Sequence, residues 1–291
     1  MPAKEIVAGL SISQNSAALA ILEHRADEIE ILHLDSYMRE EQNGVYWFAT
    51  PLSEFLSKNR LNIHQVCVAL DARELTLVNF PIDTSLLQSE RNEHVHWELS
   101  HYIENFRPAD YITDLHVFET NTVEQVQHVL AVAVQRTMVF GLQKHLRDMG
   151  LTLGAVDTNP FAAASALLQS HPEMRKGNCI TVGVHEGRID ATVLRNGHTV
   201  AYRYADKSGP EKLAPFIMES FEKLSEAIVY MYGPSFTNEH LRSIRENTVL
   251  KVSTLDPFRR LLISPSLKGF DRFLRRAPEF VCPLGIALRK E

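Results

Sequence analysis

The sequence predicts an α/β protein of two lobes, and three observations carry that prediction. Two stretches, Glu5 to Ser36 and Cys179 to Ala205, each read as strand, tight polar turn, strand, short turn, third strand. Runs with strand and helix character alternate along most of the remaining chain. The 291 residues are enough for two lobes with separate cores. A repeated meander of this kind frames the phosphate site of many two-lobed nucleotide-binding folds.

The elements follow from local patterns. Alternation and β-branched enrichment mark strands at Ile6 to Ile12, Ala17 to Leu22 and Ile29 to Leu34. Val45 to Asn59 has Tyr46, Ala49, Leu52, Phe55 and Leu56 at helical spacing. Gln65 to Leu70 is an apolar run typical of a buried strand. Thr76 to Phe80 reads as a strand stopped by Pro81. Ser85 to Ile103 carries an amphipathic stripe through Val95, Leu99 and Ile103, ended by Phe106 and Pro108. Tyr111 to Phe118 and Val126 to Val134 are strands around a polar turn. Thr137 to Met149 is a helix with Gly150 as its stop. Leu151 to Val156 is a strand, and Phe161 to Gln169 a small alanine-rich helix. The loop-like Arg175 to Asn178 marks the lobe boundary. After the second meander, Glu211 to Met231 reads as one long helix with Pro215 in its first turns. Val249 to Ser253 is a strand and Leu284 to Leu288 a terminal helix.

Composition excludes several classes. Hydrophobic residues are 45% and charged residues 23%, the balance of a soluble globular protein. A net charge of -6 leaves no basic excess for phosphates and argues against nucleic acid. The local basic patches, Arg242 to Arg245 and Arg259-Arg260 with Lys268 to Arg276, read as solvated faces. Three dispersed cysteines, Cys67, Cys179 and Cys282, have no metal spacing and suit a reducing cytoplasm. Lys4-Glu5 interrupts any early apolar run, so no signal peptide is expected. No window approaches the ~20 apolar residues of a membrane span. A membrane role is therefore expected only through a partner.

Two constellations have both a functional and a structural reading. His94, Trp97, Glu98 and His101 share a helix face, and the histidines with Glu98 could ligate a metal. The preferred reading is an exposed polar face and no metal, with Trp97 open to packing or partner contact. Asp157 precedes Asn159-Pro160 and reads either as a residue near the interlobe cleft or, preferably, as a helix cap. No Ser/His/Asp or Cys/His arrangement stands out, and neither Gly-x-Ser-x-Gly nor a Walker-type loop occurs.

Between Thr76 and Ala164 several short matches occur in one order. They are Glu98, Tyr102-Ile103, Asp114, Val129 to Ala133, Gly150-Leu151, Val156-Asp157 and Phe161-Ala162. Asp256-Pro257-Phe258 and the ending Pro283 to Arg289 continue the series. On these residues the chain resembles the PilM (competence protein A) family of type IV pilus assembly, in the actin-like superfamily with FtsA, actin and Hsp70. The resemblance implies an actin-like (ribonuclease H-like) two-lobed α/β fold with a PilM/FtsA-type 1C insertion. The implied divisions are 1–81 for the first part of subdomain 1A, 82–150 for 1C and 151–174 for the return to 1A. The second lobe would span 175–279 and the C-terminal helix 280–291.

Against that family the chain departs at both phosphate loops. The resemblance implies an aspartate and a glycine in each, holding Mg²⁺ largely through water and admitting phosphates to backbone N–H groups. The first loop has Ser11 and Ser13 at those positions, followed by Gln14 and Asn15; the second has Gly183 and His185. Subdomain 2B is expected to be mostly deleted at Asp206-Lys207-Ser208-Gly209, truncating the second lobe. The late adenosine turn would be Tyr232-Gly233-Pro234-Ser235, with one glycine left.

The expectation is therefore a non-catalytic cytoplasmic adaptor with no cofactor, peripheral to the inner membrane. The resemblance implies that it binds the cytoplasmic N-terminal peptide of a single-span, PilN-like protein between 1A and 1C, its oligomeric state being open. The expected walls are Thr76 to Phe80, Ser85 to Ile103 and Tyr111 to Phe118, with Trp97, Tyr102, Phe106 and Tyr111 as aromatic contacts. The alternative is an ATP-binding actin-like protein holding Mg-ATP at Ser11, Ser13, Gln14 and Asn15. A polymerising cytoskeletal protein is a third, less favoured reading.

Overall fold

The computed structural model describes residues 5–26, 28–39, 46–59, 61–206, 209–220 and 227–289. The first meander forms as β1 (Glu5–Ile12), β2 (Ser16–His24) and β3 (Ile29–Met38). Strands β4 (Gln65–Leu70) and β8 (Thr152–Thr158) extend it, giving the order β14-β3-β2-β1-β4-β8, where β14 is Leu262–Ile263. The second meander is β9 (Asn178–His185), β10 (Arg188–Arg195) and β11 (His198–Ala205). With β12 (Ile228–Tyr232) and β13 (Lys251–Thr254) it forms a sheet of order β11-β10-β9-β12-β13. A third sheet, β5-β7-β6, is built from β5 (Thr76–Asp83), β6 (Tyr111–Asn121) and β7 (Val126–Gln135).

Side-chain alternation explains how the layers stack. On β2, Ala17, Leu19 and Ile21 face a core closed by α1 (Ala49–Lys58) and α3 (Arg136–Asp148), while Ala18, Ala20 and Leu22 face the opposite core. Burial on both faces accounts for the nearly continuous apolar run. The opposite core holds α4 (Asn159–Ser170) and α8 (Val281–Ala287), together with Cys179 and Tyr232 of the second sheet. Two small-residue helices thus fill the space between the lobes. Contact is close: a Cβ on Gly285 would lie 1.8 Å from the Ala162 carbonyl oxygen, and one on Gly9 1.9 Å from that of Pro283. The outer face of the second sheet is covered by α5 (Pro210–Ser220) and α6 (Asn238–Asn247). The third sheet has its own core against α2 (Gln88–Ser100), through Val95, Leu99 and Ile103.

Three expectations are corrected. Pro81 does not stop its strand: β5 continues to Asp83 with Pro81 opposite His128, because β5 is an edge strand whose missing N–H faces away from β7. The segment Glu211 to Met231 is not one helix. Helix α5 is described to Ser220, residues 221–226 lie outside the described set, and Ile228 to Tyr232 is a parallel strand between β9 and β13. Its run of β-branched and aromatic residues suits that central position better than a helix. Finally, the segment after β13 returns to the first sheet well before 280, since Leu262 and Ile263 pair with Glu30 and Ile31. Val45, at the start of the first expected helix, lies outside the described residues.

Candidate functional site

Among the concavities of the described residues, two concern the expected sites. The first is a cleft of about 220 Å³ between the first turns of the two meanders. After β1 the chain turns through Ser13–Asn15, and the Ser13 hydroxyl is spent inside that turn on the Ser16 carbonyl oxygen (2.9 Å) and hydroxyl (2.8 Å). Asn15 donates from Nδ2 to Glu186 Oε2 across the cleft at 2.6 Å. Strand β4 ends in Asp71, which caps a short 3₁₀ turn at Ala72–Glu74 by accepting from the Arg73 amide (2.9 Å). The Arg73 guanidinium donates Nε and Nη2 to the same carboxylate at 3.1 and 2.8 Å. Its Nη1 reaches the Glu186 carbonyl oxygen at 2.8 Å and Gln14 Oε1 at 3.3 Å. One guanidinium therefore ties three loops from both lobes. Burial alone would raise the Asp71 carboxyl, but the Arg73 hydrogen bonds outweigh it and hold it below the usual carboxylate range.

The second-lobe side of the cleft is filled by its own side chains. A Cβ at Gly183 would lie 2.7 Å from the Tyr232 ring and hydroxyl and 2.9 Å from His185 Nε2, so no carboxylate side chain fits there. His185 is buried, with both ring nitrogens lacking a hydrogen-bond partner, and Nε2 stands 3.9 Å from Asp190 Oδ2. Asp190 is in turn held by Arg188 Nε at 3.0 Å and by the Tyr202 hydroxyl. The Arg188 guanidinium stacks 4.0 Å from the Tyr204 ring. The expected loop residues Ser11, Ser13, Asn15 and His185 all line this cleft, and Gln14 meets Arg73 at its edge. Arg73, Asp71 and Glu186 were not singled out in the sequence. The available signal was the opposite charges of Asp71 and Arg73 directly after an apolar strand, at the carboxyl end where α/β sheets place their sites.

The second concavity is a groove of about 570 Å³, within the range of ligand pockets. Its floor is the face of the third sheet turned away from α2, with Val132 and Val134 of β7 and Ile112, Asp114 and His116 of β6. Opposite stand Val156–Thr158 of β8 and Phe161 and Leu168 of α4; the turn Gly197–Thr199 of the second lobe closes one end. His116 joins two walls, with Nε2 3.2 Å from the Thr199 carbonyl oxygen and its ring 5.2 Å from Phe161. Asp157 does not cap α4. Thr158 is the cap residue, while Asp157 accepts from the Thr158 amide (2.7 Å) and pairs with Arg289. Burial pushes the Asp157 carboxyl up, and the Arg289 charge only partly offsets this. Thr158 Oγ1 is buried without a partner. Strand β6 is an edge of its sheet among the described residues, the kind of position where an extended chain can add.

The four expected aromatic contacts do not line this groove. Strand alternation sends Tyr111 and Leu115 to the α2 side and Ile112, Asp114 and His116 to the groove side. Phe106 packs on Tyr111 with ring centroids 5.2 Å apart, inside the α2 layer. Trp97 on α2 and Tyr102 in the turn after it are exposed, and Trp97 packs edge-on against His101 at 4.5 Å. Of the three expected walls only β6 faces the groove. His94 and Glu98 approach to 3.7 Å, and no group that could hold a metal occurs among the described residues.

Two meander-based lobes with helices between them, and a third small sheet inserted after β4, define an actin-like fold of the PilM type. Among solved structures, the chain is similar over 97% of its length, and 98% of the other's, to a "PilM-PilN type IV pilus biogenesis complex", with a TM-score of 0.74 at 19% identity. It is also similar to a Bacteroides thetaiotaomicron protein with actin-like ATPase fold and unknown function (TM-score 0.52, 11% identity, 93% and 95% of the two chains). A third is the cytoplasmic domain of EpsL, an inner membrane component of the Vibrio cholerae type II secretion system (TM-score 0.51, 14% identity, 94% of each chain). No family model and no curated protein matches the sequence.

Proposed function

We propose that this protein is a non-catalytic adaptor of a type IV pilus-like or related secretion assembly, holding an extended segment of an inner-membrane partner in the 570 Å³ groove. The observation that carries the proposal is the contrast between the two concavities. The cleft is bridged by Arg73 and Asn15, whereas the groove is larger, mostly apolar and bordered by β6, an edge strand among the described residues. Mg²⁺ and a triphosphate do not fit the cleft residues. Ser11 and Gly183 offer no carboxylate, the nearby Asp71 is committed to Arg73, and Tyr232 fills the space above Gly183. The neighbours named for PilM–PilN and EpsL support the type of assembly. No helix among the described residues is long and apolar enough to cross a membrane, in keeping with attachment through a partner.

The test is a titration of the purified protein with the N-terminal cytoplasmic peptide of a single-span protein encoded beside it. Saturable binding is expected, weakened at least tenfold by Val132→Arg, which places an unpaired charge on the groove floor. A peptide that binds Val132→Arg as tightly as wild type sinks the groove assignment.

A further inference from the structure

The segment from Asp256 to Arg276 leaves the second sheet, pairs with the first at Leu262–Ile263 and continues beyond it. It holds six cations, Arg259, Arg260, Lys268, Arg272, Arg275 and Arg276, against two acids, Asp256 and Asp271, in a chain whose net charge is -6. Arg259 pairs with Glu173 and Arg276 with Glu279. The remaining four, Arg260, Lys268, Arg272 and Arg275, are exposed and form no ion pair among the described residues. Interleaved with them, Leu262 is 45% and Leu274 48% exposed.

The segment is anchored from beneath. Phe258 and Phe273 both pack on Phe280, at 6.2 and 5.4 Å, and Phe270 packs on Phe258 at 5.1 Å. Turns closed by Leu267 N to Ser264 O (2.9 Å) and Arg272 N to Gly269 O (3.2 Å) keep it compact. The aromatics are thus spent inward, and the exposed side chains include the six cations and two leucines along with Asp256 and Asp271.

We infer that this excursion is a docking surface for an anionic phospholipid membrane. Unpaired cations are attracted to acidic headgroups, each contributing about a fivefold gain in partitioning near the surface. Exposed leucines gain by leaving water for the acyl boundary, which a phosphodiester chain does not offer. Charge plus shallow apolar insertion supplies the two signals that reversible membrane binding needs. The surface is separate from the groove and stands or falls independently of the peptide-binding reading.

The test is co-sedimentation of the purified full chain, with no partner peptide, with vesicles of phosphatidylcholine alone or mixed with phosphatidylglycerol. Binding is expected only with the anionic lipid, falling as salt rises. Arg275→Gln should lower it about fivefold, and Leu262→Ser with Leu274→Ser should lower it further. All are surface positions, and unchanged circular dichroism confirms that the variants fold. Equal binding to both vesicle types, no binding to either, or the same variants weakening DNA binding while leaving vesicle binding unchanged would each overturn the inference.

Discussion

Arg73 is the residue on which the reading of the cleft turns. An actin-like phosphate site uses a divalent cation to bring two loops together around a ligand; here a guanidinium attached to the chain contacts both loops directly. Its removal leaves Asp71, 2% exposed, without its counter-charge. Arg73→Ala is expected to cost about 3 kcal/mol in urea denaturation at neutral pH, the usual penalty for breaking a buried pair. The pH dependence follows from the lowered Asp71 carboxyl. Its contribution is full above the unfolded value near ~4 and is lost as pH falls through the lower folded value. The deficit of Arg73→Ala should therefore shrink below about pH 4. Asp157 has the opposite sign. Its carboxyl is raised by burial, so ionisation weakens the fold as pH climbs from ~4 through the folded value. Asp157→Asn should thus be neutral or up to ~1 kcal/mol stabilising at pH 7, with no gain near pH 3. A clear loss at pH 7 would mean that the Arg289 pair outweighs burial.

At the scale of elements, the packing of α8 between the lobes leaves no room for side chains at its contact with α4. Gly285→Ala should cost roughly 1–3 kcal/mol, since the added methyl must displace the Ala162 carbonyl. Calorimetry showing an unchanged midpoint would place the helices further apart than described. The elements also show what was legible in the sequence. Both meanders, the Val95–Leu99–Ile103 stripe and the alanine-rich α4 were readable, because period and burial agree there. Ile228 to Tyr232 was misread because a five-residue apolar run has no period of its own, and only its neighbours β9 and β13 decide it. The loop residues Ser11, Ser13, Asn15 and His185 were assigned to the cleft through the resemblance, and they line it. The groove was not legible in detail: its walls come from β6, β7, β8, α4 and the β10–β11 turn, distant in sequence. Choosing aromatic residues favoured Tyr111, whose strand parity turns it into the α2 layer, and Phe106, which packs on it from the preceding loop. Arg73 and Arg289 escaped because each acts across a gap of sequence, to Glu186 and to Asp157.

For the whole molecule, the proposed function puts the working surface beside the two lobes rather than between them. The cleft is bridged from within, and the groove, edged by β6, is the proposed place for another chain. Two further readouts follow. Millimolar Mg-ATP should leave the melting temperature unchanged, whereas a ligand at a hundredfold its Kd would add about 2.7 kcal/mol. Gly183→Asp, which puts an acidic residue where the resemblance implies one, should destabilise the fold without creating nucleotide binding, because Tyr232 occupies the space.

The most direct test is photo-crosslinking in the cells that make the protein, with the probe placed either at Leu168 in the groove or at Ser13 in the cleft. The account predicts that Leu168 captures the cytoplasmic segment of an inner-membrane protein and that Ser13 captures nothing. Capture at Ser13 alone, or labelling of the Ser13 site by an adenine nucleotide, would contradict it.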